Sequence, residues 1–119
     1  MARWSTLQAA LRAAQLAPLV ERLDETAAWN AVLSGGEQQR LAIARVLLKR
    51  PAWVFADEAT SALDQATEAE VYAELVALVR ERGGSLVSVA HRDSVQAFHG
   101  WRWQLDPAQH AVLPVSASR

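Results

Sequence analysis

The 119-residue chain contains no cysteine, which excludes a disulfide framework and any cysteine-based metal site. Lysine is almost as scarce, with Lys49 alone among 12 basic residues. It sits in "VLLKRP", without the glycines of a G-x-x-x-x-G-K-[ST] loop, so no such phosphate cradle is encoded here. Glycine occurs five times, mostly in the pairs Gly35-Gly36 and Gly83-Gly84, and neither pair has that spacing. Neither charge sign dominates, with 12 Lys+Arg against 13 Asp+Glu and a net charge of -1. A dedicated nucleic-acid binder would show a basic excess. No apolar run is long enough to cross a bilayer. The first stretch, "MARWSTLQAALRAAQLAP", is interrupted by Gln8, Arg12 and Gln15 and lacks the apolar core of a signal peptide. The chain therefore reads as cytosolic. Repeats and low-complexity segments are absent too.

What is present is apolar enough to fold, at 51% hydrophobic residues. "STLQAALRAAQL" has Leu7, Leu11 and Ala14 at helical spacing, with Ser5 or Thr6 as N-cap. Pro18 punctuates it, and Leu19 to Glu25 reads as a second short helix. "TAAWNAVLSGG" carries turn residues. A longer helix is expected from Gly36 to Lys49, opened by an S-x-x-E capping box of Ser34 and Glu37 and followed by Pro51. "AWVFA" (Ala52 to Ala56) is apolar without alternation, which predicts a strand covered on both faces of a parallel sheet. Thr67 to Arg82 reads as an amphipathic helix with Val71, Leu75 and Leu78 on one stripe, stopped by Gly83-Gly84. "SLVSVA" (Ser85 to Ala90) is a second buried strand. "DSVQAF" reads as a helical turn or two, and "WRWQLD" with "HAVLPV" as a closing antiparallel pair. Two strand–helix units of this kind predict an α/β sheet.

Four stretches carry chemistry. In "LSGGEQQR", Ser34, Gly35 and Gly36 stand where a helix begins, where amide groups and the helix dipole favour an anion. The bland alternative is an ordinary capped helix start. In "WVFADE", two acids close an apolar strand at the sheet edge where α/β folds bind ligands. Asp57 suits Mg²⁺, directly or through water, and Glu58 suits the polarisation of an attacking water. Alone, "DE" would more often be a pair of solvated acids. "SALD", ending at Asp64, is short and acidic and could be no more than a helix N-cap. "SVAH" places His91 beyond the second strand, at the same sheet edge, where it can donate a hydrogen bond to a phosphate.

In this order the four motifs resemble the ATP-binding cassette (ABC) ATPases over most of the chain, Leu7 to Leu105. Leu33 to Arg40 is similar to the family's signature motif, Val54 to Glu58 to its Walker B strand, Ser61 to Asp64 to its D-loop, and His91 to its switch histidine. "DEATSALD", Trp29, Trp53 and "HRDSVQAFH" look most like fused permease–ATPase exporters of the bacterial group related to peroxisomal fatty-acyl transporters. Ala56 departs from the pattern, where a bulkier leucine is usual.

The resemblance implies a partial P-loop NTPase fold. Residues 1–32 would finish a helical subdomain, 33–106 would hold the signature helix, Walker B, D-loop and histidine regions, and 107–119 would be a tail. It implies ATP and Mg²⁺ as ligands of the intact parent. Glu58 and His91 would be catalytic, Asp57 would hold the metal, and Ser34, Gly35, Gly36, Glu37 and Asp64 would bind nucleotide. The partners implied are a second cassette, head to tail, and a transmembrane permease domain at the cytoplasmic face of the inner membrane, with no nucleic acid. The adenine-stacking aromatic, the P-loop and the glutamine-bearing loop of the family's first half do not occur here. The P-loop strand is thus expected to be missing, leaving an apolar sheet edge open, and the isolated chain is expected to turn over ATP at background. Two other readings stand beside this one: a fragment of a soluble, non-transport ABC ATPase, and a non-enzymatic half-cassette that docks on an intact ATPase.

Overall fold

The three main helices each begin where a side-chain oxygen takes an otherwise unpaired first-turn amide. Thr6 accepts from the Ala9 N–H at 3.0 Å and opens α1 (Leu7–Ala13). Ser34 opens α3 (Gly35–Lys49) and Asp64 opens α4 (Gln65–Arg82). The computed structural model describes residues 6–109 and the backbone of 111–115. Of the two N-cap candidates for α1, Thr6 acts and Ser5 lies outside the described residues.

Between α1 and α3 the chain departs from expectation twice. Leu19 to Glu25 was expected to be helical, but the turn is a 3-10 helix, Ala17–Arg22, with Pro18 in its first turn and no side-chain cap. At six residues it is longer than most 3-10 runs, which are used in short pieces. "TAAWNAVLSGG" is not all turn, because α2 (Trp29–Val32) makes one helical turn within it. The Arg22 guanidinium lies 4.8 Å over the Trp29 ring and joins the two segments.

Helix α3 ends with Arg50 in the left-handed region, φ 54°, directly before Pro51. β1 (Trp53–Asp57) follows. α4 ends on Gly83, φ 72°, and the Gly84 N–H returns to the Val79 carbonyl at 2.9 Å. The chain then enters β2 (Ser85–Val89). β1 and β2 pair in parallel, with Trp53 opposite Ser85, Phe55 opposite Val87 and Asp57 opposite Val89. α5 (Asp93–Gln96) is a single turn. β3 (Arg102–Asp106) and β4 (Ala111–Val115) form the expected antiparallel pair. The result is a mixed α/β fold with a small parallel sheet.

The core joins Leu11, Ala14 and Leu16 to Ile43, Ala44 and Leu47 of α3, Val54 of β1, and Val71, Leu75, Leu78 and Val79 of α4. The stripe expected on α4 is fully buried, with Val71, Leu75 and Leu78 between 0% and 1% exposed. The expectation of strands covered on both faces is corrected. In β1, Val54 and Ala56 are buried while Trp53 and Phe55 are exposed. In β2, Val87 and Val89 are exposed on the same side. The apolar run lacks alternation in sequence, yet the described residues cover one side only, that of α4.

Candidate functional site

Strand β1 ends in two acids, and the backbone between them changes hand. Asp57 is still extended and exposed, on the same side of the sheet as Trp53 and Phe55. Glu58 has φ 52°, left-handed and uncommon for a side-chain-bearing residue. Hydrogen bonds at both its N–H and its carbonyl hold it there. Its N–H donates to the Val89 carbonyl at 2.8 Å, and its carbonyl accepts from Gln39 Nε2 at 3.1 Å. Backbone strain of this kind persists where the surroundings over-determine it.

His91 lies past the end of β2, its imidazole almost fully exposed. Its Nε2 is 3.4 Å from Glu58 Oε1. That is an ion-pair distance without hydrogen-bond geometry, so the buried Oε1 atom has no hydrogen-bond donor. The structure therefore brings Glu58 and His91 together and leaves on the carboxylate an acceptor site that a water or ligand donor can fill. The Asp57 carboxylate has no hydrogen bond or ion pair among the described residues. No cluster of three His, Cys, Asp or Glu side chains occurs among those residues. Asp57 alone fits Mg²⁺, an ion usually held by one or two carboxylates with waters and substrate phosphates completing its shell.

At the start of α3, the capping box is complete in both directions. The Glu37 N–H donates to Ser34 Oγ at 3.1 Å, and the Ser34 N–H donates to Glu37 Oε1 at 2.9 Å. These bonds hold the Glu37 carboxyl below its ordinary 4.5. Glu37 thus neutralises the helix start from within, while the amides of Gly35 and Gly36 belong to the first turn and have no intrahelical acceptor. Close approach also explains Gly36. A Cβ there would meet the Ala62 carbonyl oxygen at 3.2 Å and Leu63 Cδ2 at 3.3 Å. Asp64 accepts from the Thr67 N–H at 2.7 Å as the N-cap of α4, and this bond lowers its carboxyl below the ordinary 3.8.

The loop from Glu58 to Asp64 therefore touches every element of the site. Three residues that hold it were given no role in the sequence reading. Gln39, on α3, donates to the Glu58 carbonyl and to Ser61 Oγ, and its Oε1 accepts from the Ala62 N–H at 2.9 Å. Arg92 donates to the carbonyls of Ser61 and Leu63, both at 2.6 Å. Glu68 is 1% exposed and accepts from Thr60 Oγ1 at 2.6 Å, Ser94 Oγ at 2.7 Å and Arg92 Nη1 at 3.3 Å. A buried carboxylate is tolerated when it is paired and hydrogen-bonded. Behind β2 lies a second chain of polar contacts. The Tyr72 hydroxyl donates to Ser88 Oγ at 3.1 Å, and Ser88 Oγ lies 2.9 Å from His99 Nε2. His99 Nδ1 donates to the Val95 carbonyl, 2.9 Å away, which makes Nε2 the acceptor of a Ser88 proton in the neutral ring.

Comparison with known proteins points to one family. The family model described as ABC transporter matches residues 2–61. An uncharacterized ABC transporter ATP-binding protein of Synechocystis is 43% identical over 108 residues, covering 82% of this chain and 16% of its own. ABC transporter D family member 2, chloroplastic, of Arabidopsis thaliana is 43% identical, over 72% of this chain and 12% of its own. The human lysosomal cobalamin transporter ABCD4 is 40% identical, over 80% of this chain and 17% of its own. The chain spans 12% to 17% of the length of these relatives.

Proposed function

We infer that this chain, which belongs to the ABC transporter family, supplies the C-terminal part of an ATP-hydrolysing cassette whose phosphate cradle comes from sequence outside these 119 residues. In the intact parent, ATP binding and hydrolysis at the cytoplasmic face of the inner membrane drive export through a permease domain. A second cassette docks head to tail. The observation that carries this reading is the pairing at the sheet edge, with Glu58 Oε1 3.4 Å from His91 Nε2 and Asp57 beside it.

Each residue has a task in that reading. Glu58 holds the attacking water through the oxygen that has no donor of its own. His91, exposed and one contact away, offers an N–H to the terminal phosphate and responds to Glu58 across the 3.4 Å gap. Asp57 is the protein ligand for Mg²⁺, which when bound neutralises phosphate charge. Ser34, Gly35 and Gly36 present a hydroxyl and first-turn amides to the nucleotide of the partner cassette. Glu37 fixes that turn, and Asp64 fixes the end of the loop beside it. Because Asp57 faces the uncovered side of β1, the cradle is expected to arrive on that side, over Trp53, Phe55, Val87 and Val89.

The test is a chimera in which residues 33–106 replace the matching segment of a P-loop-bearing relative. ATP hydrolysis is expected in the chimera, with Glu58→Gln lowering kcat by about 100-fold or more. The isolated chain should remain at background. A chimera that hydrolyses ATP equally well with Glu58→Gln would remove the assignment of Glu58. ATPase activity in the pure chain that Glu58→Gln abolishes would remove the need for an external cradle.

A further inference from the structure

We propose that Arg92 is a positioning residue that sets the Glu58–His91 separation by tying its own segment, next to His91, to the carbonyls of the loop that begins at Glu58. This deepens the ATP-hydrolysing reading and rests on it only for the consequence in turnover. The grip itself stands on the geometry of this chain.

The loop leaves β1 through the left-handed Glu58 and enters α4 at Asp64. Its internal backbone bonds are few, Ser61 N–H to the Glu58 carbonyl at 3.3 Å and Leu63 N–H to the Thr60 carbonyl at 3.0 Å. Its shape therefore depends on side chains from outside. Gln39 fastens the face toward α3. On the opposite side, one guanidinium does the work. Nη2 reaches Ser61 O at 2.6 Å, while Nη1 reaches Leu63 O at 2.6 Å and, more loosely, Thr60 O at 3.5 Å. Nη1 also lies 3.3 Å from the buried Glu68 carboxylate. Glu68 is itself held by Thr60 within the loop and by Ser94 on α5. Arg92 is thus aimed by a carboxylate that is anchored at both ends of the same assembly.

Chain connectivity gives the grip its consequence. Arg92 directly follows His91, so tension on Arg92 fixes the segment that carries the imidazole. The loop it grips begins at Glu58. One side chain thus ties the segment that carries His91 to the loop that begins at Glu58. The planar fork matters, because two nitrogens in a fixed geometry reach two carbonyls at once. A lysine ammonium at this position would still neutralise Glu68 as a point charge, but could not reproduce that planar fork.

That difference separates positioning from simple charge compensation. In the 119-residue chain, Arg92→Lys and Arg92→Ala would be compared with the wild type by thermal melting, by amide hydrogen exchange at Ala62 and Leu63, and by the ring-nitrogen shift of His91 at one fixed pH, each with and without Glu58→Gln. Positioning predicts that Arg92→Lys melts close to the wild type, while exchange at Ala62 and Leu63 speeds up at least tenfold. The His91 shift should also lose its response to Glu58→Gln. Unchanged exchange together with an unchanged His91 response would overturn the proposal and leave Arg92 as a counter-ion for Glu68. Melting as low as in Arg92→Ala would also overturn it, because the residue would then carry the fold and not the loop. No nucleotide enters these measurements. An inactive chimera would sink the ATP reading and leave the positioning result standing.

Discussion

The two faces of the β1–β2 pair are built from similar residues and differ in what covers them. Toward α4, Val54 and Ala56 are 7% and 6% exposed, and Val54 belongs to the cluster with Leu75 and Leu78. On the other face Phe55 is 75% exposed and Val89 58%. Trp53 and Phe55 stack on each other there at 6.5 Å between centroids. The apolar character of a strand records that both faces are meant to be covered, without naming the cover.

The most severe way to break the covered face is Gly84→Ala. A Cβ at Gly84 would stand 1.7 Å from the Ala52 carbonyl oxygen, which also accepts the first inter-strand bond from the Ser85 N–H at 3.1 Å. Backbone cannot yield as a side chain does, so β2 must move off β1. Loss of a cooperative melting transition is expected. Gly83→Ala is the control. It meets nothing within 4 Å and suffers only from φ 72°, a cost of about 1–2 kcal/mol. Equal effects from the two would show that the contact with Ala52 is not what joins the strands.

Leu78→Ala comes next. The side chain is fully buried, at 0% exposure, and its truncation is expected to cost about 2–5 kcal/mol in urea denaturation. A cost under about 1 kcal/mol would mean that α4 does not seal the inner face.

How much of this was legible in sequence depends on the range of the interaction. The capping box of Ser34 and Glu37 spans one turn, and the stripe of Val71, Leu75 and Leu78 follows a helical period, so both read directly. Asp57, Glu58 and His91 were legible as a resemblance and as residues at strand ends. Gln39, Glu68 and Arg92 were not, because each acts across a distance in sequence that no local pattern encodes. Gln39 looks like an ordinary polar position on a helix, and Glu68 like an exposed first-turn acid. "TAAWNAVLSGG" hid one turn of helix because α2 has no capping side chain to announce it. The coverage of Trp53 and Phe55 was misread because an apolar run predicts burial in a completed assembly.

A smaller effect follows from pH, acting on the helices that cover the inner face. The Glu37 and Asp64 carboxyls are both held below their ordinary values of 4.5 and 3.8 by bonds from first-turn amides. A carboxylate depressed in the folded state contributes stability that is complete above its unfolded value and is lost as pH falls through the folded one. The melting temperature should be flat above about pH 5 and decline below it. Glu37→Gln and Asp64→Asn should each flatten the decline, measured by melts from neutral to acid pH. A slope unchanged by both substitutions would place the acid sensitivity elsewhere.

The smallest change in stability is expected at Phe55, the most exposed large apolar side chain among the described residues. Phe55→Thr puts a β-branched residue of good strand propensity in the strand and removes a ring that is 75% exposed. Surface substitutions of this kind usually alter stability by no more than about 0.5 kcal/mol. The lost partner for Trp53 is an exposed stack and the inner face is untouched. The effect should appear in association, because exposed apolar surface beside unpaired strand edges promotes pairing between chains. Light scattering across a dilution series should show the wild type self-associating and Phe55→Thr doing so less, with melts nearly superimposed. A Phe55→Thr melt lowered as far as that of Leu78→Ala would reverse the comparison between the faces. The outer face would then be buried in solution by copies of the chain itself, and the uncovered sheet would be a property of the monomer alone.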